Sequence, residues 1–225
     1  MTYKFDFSRQ NIFVLVGKQG SGKSYMLRNL LYNFTKQNIF QFGVCFTGTA
    51  FNTDYDFLPE DAVHSDYSEE RLQQYINKIK EWMKSNKNKK PPPSFLILDD
   101  LLGKIKLSSP IFANLISTYR HYNMSVFITS QYMVKNISTL LRELADYAFI
   151  FKTKFKNSRI ALYESFGQML DNQDMFNSYL DKATEQQYHC LLYNANTDNK
   201  AESYHIYSAD SKQKDFKLNF KSIKF

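Results

Sequence analysis

Eight consecutive residues near the N-terminus have the types and spacing that can hold a polyphosphate. They are Gly17, Lys18, Gln19, Gly20, Ser21, Gly22, Lys23 and Ser24. Glycines let a backbone curl around phosphate oxygens, and a following helix presents its positive end to the negative charge. In such a loop the lysine bridges the β- and γ-phosphates, and the final hydroxyl binds Mg²⁺. We therefore predict ATP and Mg²⁺ as cofactors, with Lys23 catalytic and Ser24 a metal ligand.

A pair of acids follows an apolar run further along the chain. Residues 95–98 are all apolar, which predicts a strand buried on both faces, and Asp99 and Asp100 stand at its end. Asp99 is the candidate that holds Mg²⁺ through water. Asp100 is the candidate general base that orients or deprotonates the attacking water. Adjacent acids can also be solvated loop residues, but a phosphate loop upstream favours the catalytic interpretation.

Three further side chains are candidates for the reaction. Gln131 follows a predicted strand at 126–129, where a polar side chain faces a nucleotide crevice and can sense the γ-phosphate. Arg120 ends the helix before that strand, and Arg142 lies in a short helix after it. Either arginine can act as a finger that reaches a neighbouring subunit's γ-phosphate, with Arg120 preferred. Either can equally be a surface salt-bridge residue.

Strand and helix patterns alternate along the chain and position these residues. This alternation predicts an α/β fold with a mostly parallel central sheet and helices on both faces, as one domain over 1–225. Residues 211–225 form either an edge strand or a basic tail. Predicted strands cover 12–16, 42–47, 62–63, 95–98, 126–129, 147–151, 188–193 and 203–208. Predicted helices cover the segment after the phosphate loop, a segment capped by Ser68, 111–122, 140–144, 158–166 and 174–180.

Composition narrows the class of protein. Hydrophobic residues make up 43% of the chain, which predicts a folded core rather than disorder. The formal net charge of +7 suits a polyanionic partner such as nucleic acid. Cys45 and Cys190 lie in apolar runs without metal-site spacing, so we expect reduced, buried thiols and an intracellular location. Without a signal segment or a long apolar run, we expect a soluble protein with no membrane span.

Four segments together resemble a known family. GKQGSGKS, LILDD, YRHYNMSVFITSQ and LLRELADYAFIF are similar to the packaging ATPases of large eukaryotic DNA viruses and virophages, of the poxvirus A32 type. These belong to the FtsK–HerA group of P-loop NTPases, of the RecA/FtsK–HerA-like ASCE type. The resemblance runs over about 11–208. The wider group usually carries Asp-Glu after the acidic strand, whereas this chain has Asp99 and Asp100, a pair often seen in the viral branch.

The resemblance implies a function. The chain would form a homo-oligomeric ring, a hexamer or pentamer, that hydrolyses ATP between subunits and drives double-stranded DNA into a preformed capsid. Capsid or portal-vertex proteins would dock it, in the host-cell cytoplasm (the viral factory) with the virion as a further location. Candidate DNA contacts are Lys87, Lys89, Lys90, Lys104 and Lys106. The alternatives are a nucleotide-dependent assembly factor without motor activity, and a small-molecule or nucleoside kinase, although no compact Arg-rich lid is present.

Overall fold

The computed structural model describes most of the chain. The described residues are 3–48, 55–87, 89–101, 105, 109–131, 139–212 and 215–218. Lys104, Lys106 and the last residues of the predicted C-terminal strand or tail lie outside them.

Strands and helices alternate through the first two thirds of the chain, as predicted. The strands are β1 (Ile12–Val16), β2 (Phe42–Thr47), β3 (Val63–His64), β4 (Ser94–Asp99), β5 (Met124–Ser130), β6 (Tyr147–Ile150), β7 (His189–Asn194) and β8 (Tyr204–Ser208). The helices are α1 (Lys23–Lys36), α2 (Glu69–Ser85), α3 (Pro110–Thr118), α4 (Thr139–Leu144), α5 (Lys156–Phe166), α6 (Gln173–Ala183) and α7 (Lys200–Ser203). The strand order is β3-β2-β4-β5-β1-β6-β7-β8, which confirms the α/β class with a mostly parallel sheet.

The described residues fall into two compact units. Unit 1 takes its residues from Met1–Phe5, Ile12–Leu30 and Ile128–Lys214, and it contains β1, β6, β7 and β8. β1 pairs with β6 in parallel, and β7 and β8 continue antiparallel. The Phe13 ring stacks on that of Tyr147 with centroids 5.3 Å apart. The core of this unit is therefore aromatic and lies beside the strand that precedes the phosphate loop.

Unit 2 takes its residues from Asp6–Asn11, Leu31–Phe127 and Asp215–Phe225. In it β2 pairs in parallel with both β3 and β4. The register sets Thr47 opposite Asp99, so the last residues of β2 and β4 are neighbours. The Phe40 ring packs edge-on against Phe95 and Phe127, with centroids 5.3 and 6.0 Å apart. This unit thus has an aromatic core of its own, which includes a residue of β4, the strand that ends in Asp99.

A buried carboxylate holds β1 at its first residue. Asp146 is 5% exposed, and its Oδ2 accepts a hydrogen bond of 2.8 Å from the Ile12 N–H. Its backbone carbonyl accepts from the N–H of Ala195 after β7. Asp146 belongs to the Leu-Arg-x-x-x-Asp-Tyr segment of the resemblance, and this contact gives that segment a structural role: it fixes the strand that carries the phosphate loop.

The start of α2 confirms a predicted cap. The Ser68 hydroxyl accepts a hydrogen bond of 3.3 Å from the Arg71 N–H, and Glu69 and Glu70 occupy the first turn. A serine cap and early acids both satisfy the positive end of a helix.

Three segments differ from the prediction. α3 ends at Thr118 rather than at residue 122, because bonds between residues three apart turn the chain and Asn123 has a left-handed φ of 50°. The short strand predicted at 62–63 is present as β3 but begins one residue later, because a 3₁₀ turn, Glu60–Ala62, precedes it. α7 follows the turn-rich 194–199 segment and was not predicted; the Asn199 side chain caps it by accepting from the Ala201 N–H.

Each unit contains one cysteine. Cys45 in β2 and Cys190 in β7 are both free thiols and fully buried. Burial raises the pKa of both thiols, and the nearby Asp99 carboxylate raises that of Cys45 further. The prediction that both cysteines are buried is therefore confirmed, and their reduced state stays a prediction.

Candidate nucleotide-binding site

The phosphate loop (residues 17–24) runs from the end of β1 into the first turn of α1. The Gly17 N–H donates to the Ser130 carbonyl at 3.1 Å, and the Ser21 N–H donates to that of Lys18 at 3.2 Å. Gly20 and Gly22 have φ of 72° and 94°, in the region that L side chains rarely adopt. The glycines therefore produce the curled backbone, and α1 begins at Lys23 with its positive end toward the loop.

Gly17 is required for a different reason, which is space. A Cβ at Gly17 would lie 2.5 Å from the Ser21 Oγ and 2.7 Å from the Cβ of Phe151. Phe151 directly follows β6, and its N–H donates to the Val16 carbonyl at 2.9 Å. The loop is thus backed by an aromatic side chain that the motif does not contain, because the contact depends on the pairing of β1 with β6.

The structure places the Lys23 side chain inside the phosphate loop. The residue is only 6% exposed, and its Nζ donates to the carbonyls of Gly17 at 2.9 Å and Lys18 at 3.2 Å. The ammonium group therefore lies within the curl of the loop, whereas the Lys18 and Gln19 side chains are exposed. The Ser21 Oγ is buried, and no described residue hydrogen-bonds to it. A cation, a buried hydroxyl and helix N–H groups form a donor set that fits a phosphate chain.

Gln131 follows the strand that contacts the phosphate loop. It comes directly after β5, whose last residue, Ser130, accepts the hydrogen bond from Gly17. The structure thus places Gln131 one residue beyond a direct contact with the loop. Arg142, in α4, is half-buried, and its Nε is buried with no hydrogen-bond partner among the described residues.

The acidic end of β4 is held by a hydroxyl from β2. Asp99 is 4% exposed, and its Oδ2 accepts a hydrogen bond of 3.0 Å from the Thr47 Oγ1. The Gly48 N–H donates to the Asp99 carbonyl at 3.1 Å. The carboxylate is therefore oriented by its neighbour rather than free to rotate. Sequence reasoning missed Thr47, although its position at the end of a predicted strand was a usable signal.

Asp100 has a left-handed backbone, with φ of 53°. Asp and Asn adopt this region far more readily than most residues, since their short polar side chains can bond locally. This gives a physical reason why an aspartate stands where the wider group usually carries a glutamate. The residue is half-buried, directly after the end of β4.

Arg120 lies in the turn after α3, not inside the helix. Its side chain is exposed, and its guanidinium carbon lies 5.1 Å from the centroid of the Tyr119 ring. Its Nε donates to the Gln10 carbonyl at 3.3 Å. Both contacts are at the surface of unit 2. Arg120 and Arg142 therefore remain alternative candidates for the arginine finger, with Arg120 exposed and Arg142 half-buried.

The remaining predicted contacts are surface lysines. Lys87, Lys89 and Lys90 are exposed in the loop after α2. Within the described ranges, no group of three or more His, Cys, Asp or Glu residues has a metal-binding arrangement. Among the described helices, none is long and apolar enough to cross a membrane.

Comparison with known protein families shows to which family this chain belongs. The family model for the poxvirus A32 protein matches residues 4–208, which is nearly the whole chain. The chain belongs to the poxvirus A32 family. This confirms the predicted resemblance over nearly the whole chain.

Relatives of this A32-family chain occur in an iridescent virus and in a mimivirus. Uncharacterized protein 075L of Invertebrate iridescent virus 6 is 28% identical over 200 residues, covering 86% of this chain and 74% of that protein. Uncharacterized protein L437 of Acanthamoeba polyphaga mimivirus is 28% identical over 195 residues, covering 81% of this chain and 67% of that protein.

Solved structures share the fold of this A32-family chain. The genome packaging NTPase B204 from Sulfolobus turreted icosahedral virus 2, in complex with ATP-gammaS, aligns with a TM-score of 0.63 at 18% identity, covering 89% of this chain and 98% of that one. The pCW3 conjugation coupling protein TcpA aligns with a TM-score of 0.57 at 15% identity, covering 96% of this chain and 63% of that one. At these identities the likeness concerns the fold, and the predicted P-loop NTPase fold is confirmed.

Proposed function

We propose that this A32-family chain is an ATPase that drives double-stranded DNA into a viral capsid. The observation that carries the proposal is Lys23, which is buried and held by carbonyls of a glycine-shaped loop at the start of α1. Family membership supports packaging, and B204, a genome packaging NTPase, shares the fold. The net charge of +7 supports a polyanionic partner.

Each candidate residue has a distinct task in this proposal. Backbone N–H groups of residues 17–24 bind the phosphates, and Lys23 neutralises charge that develops during transfer. Ser24 and Asp99 would hold Mg²⁺, which supplies electrostatic stabilisation of the phosphates when bound. Asp100 accepts the proton of the attacking water, and Gln131 hydrogen-bonds to the γ-phosphate.

An arginine from a neighbouring subunit completes the proposed site. Arg120 is the first candidate, because its side chain is exposed on a turn, and Arg142 is the second. The protein would therefore work as a ring, a hexamer or pentamer, with weak hydrolysis by single subunits. Capsid or portal-vertex proteins are its proposed docking partners, in the host-cell cytoplasm or in the virion.

The deciding measurement is ATP turnover by the purified chain with and without long double-stranded DNA, at several salt concentrations. A motor predicts Mg²⁺-dependent turnover that DNA stimulates and that salt suppresses. Phosphate transfer to a small acceptor would instead identify a kinase. Nucleotide binding without turnover would identify an assembly factor.

Two variants make this measurement specific to the phosphate loop. Lys23→Ala removes the buried ammonium, so turnover should fall about 100-fold, as expected from losing a charged hydrogen bond worth about 3 kcal/mol. Lys18→Ala removes an exposed charge from the same loop and should leave turnover near that of the unchanged chain. Normal hydrolysis by Lys23→Ala would disprove the proposed site.

A further inference from the structure

A basic loop, residues 152–156, follows Phe151 after β6 on the surface of unit 1, and its last residue is the first of α5. It contains Lys152, Lys154, Phe155 and Lys156, all exposed, and no acidic residue. Phe155 is 69% exposed, a high value for a large apolar ring. An isolated exposed ring among three cations is unlike a protein docking patch, whose centre is apolar and poor in lysine.

The exposure of this ring is built into the fold. The Thr153 carbonyl accepts from the Arg159 Nε at 2.9 Å, and the Thr153 hydroxyl accepts from the Phe155 N–H at 3.3 Å. The Arg159 guanidinium also binds both carboxylate oxygens of Asp181 in α6, with 3.0 Å between Nη1 and Oδ2. The loop is therefore clamped at its centre, and Lys154 and Phe155 are presented outward by an ordered backbone.

The three lysines differ in their surroundings. The charge of Lys152 lies near the Asp181 carboxylate and, with the larger effect of Arg159, lowers the pKa of that group. Lys152 therefore already interacts with a carboxylate of the same unit. Lys154 and Lys156 flank the exposed ring, and they are the two cations of the loop best placed for an external anion.

The basic loop is also close to the phosphate loop along the chain. Phe151, the residue immediately before it, packs against Gly17 and lies near Gly22. A change in the phosphate loop on nucleotide binding would therefore act directly on the residue from which the basic loop departs.

We propose that the basic loop is a contact site for double-stranded DNA, with Lys154 and Lys156 on backbone phosphates and Phe155 against the sugars of the minor groove. Lysines bind phosphates without reading sequence, and apolar side chains such as Phe contact or enter the minor groove. This grip is indifferent to sequence, as packaging a whole genome requires. The inference rests on the proposed function, since it names the surface by which the motor holds its DNA.

Two double variants with the same loss of charge test the assignment. Lys154→Ala with Lys156→Ala removes the proposed contacts, and Lys4→Ala with Lys84→Ala removes two exposed lysines that are not candidate DNA contacts. Binding of a fluorescent DNA duplex is measured over a range of salt concentrations. The first variant should reduce the slope of log K against log salt by about 1.8, because each phosphate contact contributes about 0.9. The second should leave the slope unchanged.

Phe155→Ala separates the ring from the charges. It should weaken duplex binding about tenfold without changing the salt slope, because an apolar contact releases no counterions. Nucleotide binding and melting temperature should match the unchanged chain in all three variants, since none of these side chains is buried.

Four results would overturn the inference. If the salt slope falls as far in the Lys4 and Lys84 variant, the effect comes from net charge and not from the basic loop. If the Lys154 and Lys156 variant binds DNA normally but no longer self-associates, the basic loop is a subunit interface. If the unchanged chain binds no duplex at any salt concentration, the proposed function fails together with this inference, whereas normal binding by all variants defeats this inference alone.

Discussion

The phosphate loop in unit 1 and the acidic end of β4 in unit 2 have predicted roles in one reaction but use different chemical groups. The loop depends on backbone conformation: Gly20 and Gly22 have positive φ, and Gly17 leaves room for Phe151. The acidic end depends on side chains, since Thr47 orients Asp99 through a hydroxyl. A site made of backbone groups is specified by local sequence, whereas one made of side-chain contacts is specified by strand pairing.

Asp100 combines both kinds of construction. It has the left-handed backbone of a loop glycine, yet it offers a carboxylate. The two units therefore differ in degree in how far they rely on backbone conformation and on side-chain groups. Variants that change one of these and keep the other can measure the difference.

The largest expected effect is the loss of ATP turnover when the arginine finger is removed, and it distinguishes Arg120 from Arg142. Arg120→Ala should lower DNA-stimulated ATP turnover by about 10³ to 10⁵, the usual contribution of an arginine finger, without changing nucleotide affinity. Arg120→Lys should recover little, because an ammonium lacks the planar fork. Steady-state turnover and binding of a fluorescent nucleotide provide the two readings. If Arg142→Ala produces the large loss and Arg120→Ala does not, unit 1 supplies the finger.

The next effect concerns Asp100. Asp100→Asn should reduce turnover by about 10² to 10⁴, the range for a general base, while the melting temperature stays constant because Asn also tolerates positive φ. Asp100→Glu keeps the carboxylate but should lose about 1 kcal/mol of stability to backbone strain. Turnover and urea denaturation measure these effects. A glutamate variant as stable as the unchanged chain would show that the backbone does not select the residue.

A smaller effect is expected at Thr47. Thr47→Val removes the hydrogen bond to the Asp99 carboxylate and should lower the free energy of unfolding by about 1.5 to 3 kcal/mol. Thr47→Ser keeps the hydroxyl and is the control. Urea denaturation gives the stability, and the Mg²⁺ concentration for half-maximal turnover reports the orientation of Asp99. Equal values for valine and serine would mean that the hydroxyl is not needed.

The smallest effect is expected at Gly17. Gly17→Ala introduces a Cβ 2.7 Å from that of Phe151, so the loop or β6 must shift, at a cost of about 1 to 3 kcal/mol. Thermal unfolding and nucleotide affinity should both change. Gly20→Ala is the comparison, because its Cβ meets no atom within 4 Å and the substitution is penalised by φ alone. Full stability in Gly17→Ala would contradict the close contact.

Much of the fold was predictable because local signals were strong. β1 and β2 have the bounds that their apolar runs predicted, and Ser68 caps α2 as expected. The predicted end of α3 was wrong, since Tyr119 and Tyr122 continue the helical spacing, whereas a left-handed Asn123 turns the chain into β5. Local pattern therefore identifies an element better than it identifies where the element stops.

The candidate site was predictable in its residue types but not in its supports. Gly17, Lys23, Asp99 and Asp100 follow from motif and strand. The contacts of Thr47 with Asp99, of Phe151 with Gly17 and of Asp146 with Ile12 instead join residues far apart in sequence. Strand register decides those contacts, and no local pattern contains it. The roles of Lys23, Ser24, Asp99 and Asp100 stay predictions, and so do those of Gln131, Arg120 and Arg142.

Each unit contains one buried cysteine, and the labelling of that cysteine reports local opening of the unit. Only thiolates react readily with maleimides, so Cys45 and Cys190, buried and with raised pKa, can be labelled only when their surroundings open. Labelling rates measured on separate peptides therefore compare the opening free energies of units 1 and 2 within one molecule. Repeating the labelling with nucleotide would reveal which unit the ligand protects more.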